Sequence, residues 1–98
     1  MTRHVLRYEL GMNVTPIELP VGTQIVHIGI KDSIRAVQMW ALVPDAEECE
    51  KRFFQVVGTG WPIDVPWAKH VGTAFAEGGT YVWHVFEVTE PEQTERKP

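Results

Sequence analysis

The sequence predicts an all-β fold, either a small antiparallel sandwich or a partly open barrel of about seven strands. Short runs rich in β-branched and aromatic residues alternate between apolar and polar positions, which is typical of half-buried strands. Turn-forming Gly, Pro, Asn and Asp residues separate these runs at intervals of about eight to twelve residues. We expect one β domain over residues 1–88 and a flexible polar tail over residues 89–98.

The first two strands follow from alternation and from the positions of proline. His4–Leu10 alternates, so the first strand has one apolar and one solvated side. Val14–Leu19 forms the second strand after a Gly-Met-Asn turn. Pro16 and Pro20 cannot donate backbone hydrogen bonds to a neighbouring strand, which predicts that the second strand lies at a sheet edge.

The third strand, Thr23–Lys31, places Val26, Ile28 and Ile30 on one face. This face is the more strongly apolar one, so we expect it to meet the core. His27 lies on the opposite face and is expected to point away from that side.

The middle of the chain contains the fourth and fifth strands. A tight turn at Asp32-Ser33 precedes the fourth strand, Ile34–Val43, whose two faces are both apolar toward its end. This pattern predicts a central strand or one that is covered on both sides. The acidic segment Pro44–Lys51 is expected to be a solvated loop, and Arg52–Thr59 is the fifth strand.

The last third of the chain contains a loop and a hairpin. Gly60–Trp67 has two prolines, two tryptophans and little periodicity, so we interpret it as an ordered loop on the surface or against a partner. His70–Glu77 is the sixth strand, Gly78-Gly79 indicates a two-residue hairpin turn, and Thr80–Val88 is the seventh strand. Its many aromatic and β-branched residues suit a central position in a sheet.

Composition and charge narrow the classes of function. The chain has a formal net charge of −4 and nine Lys and Arg residues, so a basic surface that follows nucleic-acid phosphates is not expected. No apolar run reaches the roughly 18 residues of a membrane-spanning helix, and the N-terminus shows no uninterrupted apolar signal region. The single cysteine, Cys49, excludes an intramolecular disulfide framework. We therefore expect an intracellular protein with neither nucleic-acid nor membrane partners.

His84, in the middle of the seventh strand, is the first candidate for a functional residue. A histidine among apolar neighbours most often donates to a backbone or hydroxyl group, so we expect His84 to be a hydrogen-bonded core residue. The alternative is a pocket with His27 or His70 nearby, where an imidazole accepts a proton or orients a ligand. The histidines show no His-x-His pair and no metalloenzyme spacing to a carboxylate, so neither a metal nor another cofactor is predicted.

Two threonines of recurring Gly-Thr pairs, Thr59 and Thr73, are further candidate binding residues. Turn amides can hold an anionic ligand in a pocket that His27 and His84 also line. The structural alternative is that each Gly-Thr pair marks a strand end or a bulge. A threonine nucleophile is unusual without an N-terminal amine, and Ser33 lies in an ordinary turn, so no catalytic residue is predicted.

Trp61 and Trp67 fall in the proline-rich loop rather than in a strand. Exposed aromatic residues supply contact area at binding surfaces and oligomer interfaces. Both rings can equally fold back and cover an open end of the sandwich. The sequence leaves both interpretations open.

Several blocks of sequence follow one another in a fixed order along the chain. They are Leu6-Arg7-Tyr8-Glu9-Leu10, Ile17-Glu18-Leu19-Pro20, Ile25-Val26-His27, Met39-Trp40-Ala41-Leu42-Val43, Phe54-Gln55-Val56-Val57-Gly58-Thr59-Gly60, Val71-Gly72-Thr73 and Val82-Trp83-His84-Val85-Phe86-Glu87. In these blocks the chain resembles a family of small uncharacterised proteins encoded mostly by bacteriophages, many of actinobacterial hosts, and by prophage regions. The resemblance implies an accessory phage protein in the host cytoplasm, and the recurring histidines of the family correspond to His27 and His84.

The sequence therefore favours a non-enzymatic accessory protein that binds a host protein or self-associates through aromatic loop residues and sheet edges. A homo-oligomer is expected, because small open sheets tend to pair or cover their edges. One alternative is a protein that binds or sequesters a nucleotide or metabolite in a histidine-containing pocket. Another is a minor virion or assembly component, by analogy with other β proteins.

Overall fold

Seven antiparallel strands form two facing sheets in the computed structural model, which describes residues 2–31 and 36–90. The strands are β1 (Arg3–Leu10), β2 (Val14–Pro20), β3 (Gln24–Ile30), β4 (Val37–Pro44), β5 (Cys49–Gly58), β6 (Ala68–Ala76) and β7 (Tyr81–Val88). A 3₁₀ turn, η1 (Glu77–Gly79), joins β6 to β7. The sheets do not close into a barrel, so the fold is the predicted all-β sandwich.

One sheet has three strands in the order β1-β4-β3, and the other has four in the order β2-β5-β7-β6. β4 is central in its sheet and β2 is an edge strand, as the sequence predicts. β7 lies between β5 and β6 and is antiparallel to both. β5 and β6 therefore run in the same direction, and the loop of residues 59–67 that connects them has to cross β7.

The core lies between the two sheets. Its largest fully buried side chains are Phe54, Leu19, Met39, Val37, Val56 and Val85. At one edge of the sandwich β3 packs against β6, and there Gly72 lies directly beneath Ile28. A β-carbon on Gly72 would lie 2.6 Å from Cγ1 of Ile28, so this close approach of the two sheets depends on glycine.

β-Bulges interrupt the alternation of side chains in β3 and β6. In β3 the register shifts between Ile25 and His27, so that Ile25 as well as Ile28 packs on the core. The expectation that Val26 faces the core is therefore wrong, and its side chain is 53% exposed. The extra residue of a bulge reverses the alternation on one side of it, and periodicity alone does not show where this happens.

Two connections differ from the sequence prediction. β5 begins at Cys49 rather than at Arg52, because residues 49–51 pair with residues 18–20 of β2, and the acidic loop is correspondingly shorter. The β6–β7 turn is longer than Gly78-Gly79: Glu77 has φ 55°, the two glycines have φ 65° and 99°, and the amide of Thr80 donates to the carbonyl of Glu77. The expected turn at Asp32-Ser33 and most of the expected tail lie outside the described residues.

Candidate functional site

The expectation that His84 is a core residue is wrong: its neighbours Trp83 and Val85 belong to the core, and alternation places His84 on the outer face of the four-stranded sheet. Its Nε2 is 2.8 Å from the hydroxyl of Thr59, and its Nδ1 is 3.2 Å from the hydroxyl of Thr73. Thr73 stands directly opposite His84 in the β6–β7 register. Both ring nitrogens are thus held by threonine hydroxyls, which fixes the plane of the imidazole.

The hydrogen bonds continue from Thr73 to a second histidine. The Thr73 hydroxyl lies 2.9 Å from Nε2 of His70, so Thr59, His84, Thr73 and His70 form one row, here called the His–Thr row. His70 can face outward with Thr73 because the β6 bulge falls between His70 and Gly72. The structure thereby brings together the predicted residues His84, Thr59 and Thr73, with His70 as the neighbouring histidine.

In enzymes, a hydrogen bond to an imidazole is also what activates a serine or threonine hydroxyl as a nucleophile. In the His–Thr row, however, the group behind His84 is the hydroxyl of Thr73, which carries no charge. A carboxylate in that position stabilises the imidazolium that forms when the nucleophile loses its proton, and a neutral hydroxyl does this poorly. The row is therefore better suited to orienting the Thr59 hydroxyl for hydrogen bonding than to generating an alkoxide.

Replacing Thr73 with valine is expected to lower the free energy of unfolding by about 1–2 kcal/mol, because both imidazoles lose a hydrogen-bond partner. Thr59→Val removes one bond at the end of the row and is expected to cost about half as much. Urea denaturation of the two variants and the wild type measures the difference. Equal costs would contradict the expected difference and show that the two bonds of Thr73 together stabilise the fold no more than the single bond of Thr59.

A pocket of about 560 Å³ opens beside Thr59 at the end of the sandwich. Its lining residues come from the β1–β2 turn, the end of β5 with the loop that follows, and the start of β7 with the residue before it. They are Met12, Gly58, Thr59, Trp61, Thr80, Tyr81, Val82 and Trp83. Because three of them are aromatic, we call it the aromatic pocket. Its volume is within the range of about 300–1,000 Å³ that is usual for small-molecule sites.

A tight turn positions Trp61 at this pocket. The Trp61 amide donates to the carbonyl of Gly58 at 3.1 Å, and Gly60 has φ 89°, which a turn of this kind requires of its third residue. The indole then covers Gly58 and meets Trp83 edge to face, with 5.5 Å between ring centroids. Trp61 thus covers the open end of the sandwich and remains 51% exposed toward the pocket opening.

Two predicted binding residues lie elsewhere. His27 is on the outer face of the three-stranded sheet, where its ring packs on Trp40 at a centroid distance of 5.5 Å. The structure does not bring His27 to His84, because the two histidines lie on opposite outer faces of the sandwich. Trp67 is at the other end of the loop, where its carbonyl accepts from the amide of Thr89, and it is 49% exposed.

Sequence reasoning missed an ion pair at the opposite end of the sandwich. Arg52 makes two hydrogen bonds to the carboxylate of Glu87, at 2.7 and 2.8 Å, and a third to the carbonyl of Thr23 at 2.8 Å. The hydrogen bond to Glu87 raises the pKa of Arg52, so its guanidinium stays charged at every pH at which the protein is handled. The pair joins β5 and β7 to the turn before β3, so we assign it a structural role.

The arrangement defines a small β sandwich with an aromatic pocket at one end and a His–Thr row beside it. The chain belongs to the family of the domain of unknown function DUF7352, whose model matches residues 1–96. No curated protein and no solved structure matches it significantly. Across residues 2–31 and 36–90, no three His, Cys, Asp or Glu side chains are grouped so that they could hold a metal ion. In the same part of the chain, no helix is long and apolar enough to cross a membrane.

Proposed function

We propose that the protein is a non-enzymatic binding protein that holds a small ligand with a flat ring in the aromatic pocket. The observation that carries this proposal is that Trp61, Tyr81 and Trp83 line one pocket together with Thr59. Aromatic side chains supply contact area for a planar ligand, and one oriented hydroxyl supplies the directional bond that fixes how the ligand lies.

The His–Thr row supports this assignment because it orients the hydroxyl that faces the ligand. A threonine hydroxyl can donate and accept at the same time. When His84 donates to Thr59, the Thr59 hydrogen is free to bond a ligand acceptor; when His84 accepts, a lone pair of Thr59 is free for a ligand donor. The pocket can therefore bind a ring that carries either kind of polar group, as nucleobases and many metabolites do.

A thermal-shift screen with nucleosides, nucleotides and indole-type metabolites tests the proposal. A ligand at ten times its Kd adds about 1.4 kcal/mol to stability, which raises the Tm of a domain of this size by about 5–10 °C. Trp61→Ala and Thr59→Val are expected to abolish the shift for any ligand that the wild type binds.

Trp67→Ala is the matched control, because Trp67 belongs to the same loop and is about as exposed as Trp61 but lies outside the pocket. The ligand-induced shift should be retained in this variant. If no compound stabilises the wild type, or if a stabilising compound acts equally on Trp61→Ala, the pocket is not the binding site.

A second candidate function is the binding of a host protein by a phage-encoded accessory protein. The exposed rings of Trp67 and Phe75 favour it, because neither lines the aromatic pocket and exposed aromatic residues are typical of protein contacts. Affinity capture from host cells with the wild type and with Trp67→Ser and Phe75→Ser variants tests it. A captured protein that both variants lose supports this function, and one retained equally by both contradicts it.

A further inference from the structure

Three of the four sheet edges carry features that discourage pairing with another chain. β2 contains two prolines, and β3 and β6 each contain a bulge and pack against each other. β1 is eight residues long and contains neither a proline nor a bulge. Among the described residues, β4 alone pairs with β1, so its outer edge presents unpaired backbone groups.

The first half of β1 also lacks cover on its core-facing side. Tyr8 and Leu10 pack on the core, but Leu6, on the same side of the strand, is 45% exposed. The four-stranded sheet therefore covers only the second half of β1. An apolar side chain beside an unpaired edge gains from burial when another strand is added.

We propose that a second copy of this chain pairs with β1, antiparallel and about a two-fold axis that passes through the contact. The three-stranded sheets of the two copies would then form one continuous sheet of six strands. Symmetry requires the core-facing side chains of both copies to lie on the same side. A core-facing residue of one copy therefore stands opposite a core-facing residue of the other, and an outward-facing residue opposite an outward-facing one. In every allowed register the two-fold axis thus passes through a residue, which leaves only a few registers.

Charge selects one register from this set. When the axis passes through Leu6, Arg3 lies opposite Glu9 of the second copy, and the symmetry repeats this pair. The two Leu6 side chains then meet on the core side. Opposite charges that face each other across strands stabilise the pairing, and like charges destabilise it.

The other registers place like charges opposite each other or leave part of β1 unpaired. An axis through Val5 places Arg3 opposite Arg7, and an axis through Arg7 places the two Arg7 side chains against each other. An axis through Tyr8 pairs Arg7 with Glu9 but leaves the start of the strand, Arg3–Val5, without a partner. The register through Leu6 is the one that extends over most of β1 without opposing like charges.

Sedimentation of the wild type at concentrations from about 1 to 500 μM, with charge-reversal variants beside it, tests the proposal. Arg3→Glu and Glu9→Arg are each expected to raise the dimer Kd about tenfold, because each replaces two opposite-charge pairs with two like-charge pairs. The double variant R3E/E9R restores the pairs in reverse and is expected to return the Kd to within about threefold of the wild type. Arg3→Glu and Glu9→Arg change the net charge of the chain in opposite directions, so an effect of net charge alone cannot weaken the dimer in both variants.

Arg7→Glu is the control for register, since Arg7 faces Val5 of the second copy and the Kd should change by less than about threefold. Hydrogen exchange supplies a readout at the strand itself: outward amides of residues 3–9 should become slower to exchange as the protein concentration rises. A wild type that stays monomeric throughout the series overturns the proposal. A dimer that R3E/E9R fails to restore, or whose β1 amides exchange at an unchanged rate, overturns it as well.

Discussion

Replacing Gly72 with alanine is expected to lower the free energy of unfolding by about 2 kcal/mol. The added methyl carbon would lie 2.6 Å from Cγ1 and 3.1 Å from Cβ of Ile28, and both atoms are close to the backbone of β3. The added methyl group therefore forces β3 and β6 apart, or it forces the Ile28 side chain out of its rotamer. The entropy that alanine removes from the unfolded chain offsets less than about 1 kcal/mol of this cost. Urea denaturation measures the loss.

Truncation of Ile28 provides the decisive comparison for this prediction. In an Ile28→Ala background the clashing Cγ1 is absent, so Gly72→Ala should cost at least about 1 kcal/mol less than in the wild type. Gly29→Ala is a control on β3 itself, because its new methyl carbon would meet only side-chain rings on an outer face, that of Trp40 at 3.2 Å and that of His27 at 3.5 Å. Equal costs of Gly72→Ala in both backgrounds would show that Ile28 is not the obstacle.

Replacing Glu87 with glutamine is expected to destabilise the protein by about 2 kcal/mol, because the guanidinium of Arg52 loses its counterion while it remains largely enclosed. Both side chains of the pair are 18% exposed, so solvent screens the loss and the cost stays below that of a fully buried pair. The measurement is again the midpoint of urea unfolding, and Glu47→Gln, in the exposed segment before β5, is the control for the loss of one negative charge.

A double-mutant cycle separates the ion pair from its surroundings. Arg52→Leu leaves the Glu87 carboxylate without its cation, whereas R52L/E87L leaves no unpaired charge and should cost less than the sum of its single changes. Additive costs would mean that the two side chains contribute independently. Such a result would contradict the structural role assigned to the pair.

Much of the fold could be predicted because strand patterns are local. Pro16 and Pro20 marked β2 as an edge, and the apolar faces of residues 37–43 marked β4 as central. The bulges could not be predicted, because an extra residue such as Val26 is apolar and continues an alternating pattern that the structure interrupts. The start of β5 was missed because Cys49–Lys51 is polar and becomes a strand by pairing with β2.

The candidate site was predicted in part for a related reason. Alternation shows which residues of one strand share a face, and the neighbours His84 and Trp83 do lie on opposite faces of β7. It contains no information about the sheet that a strand joins, so His27 could not be assigned to the sheet opposite His84. The ion pair between Arg52 and Glu87 depends on the pairing of distant strands, and nothing in either local sequence indicates it.

The position of β7 between β5 and β6 has a consequence for synthesis of the protein on the ribosome. Tyr81–Val88 is made after both of its neighbours, so the four-stranded sheet cannot be completed until these last residues of the sandwich have emerged. β5 can pair earlier with β2, but its other edge stays unpaired, and β6 joins the sheet only through β7. We therefore expect nascent chains that stop before Tyr81 to be sensitive to proteases and to bind chaperones, and protection to appear in one step once β7 is complete.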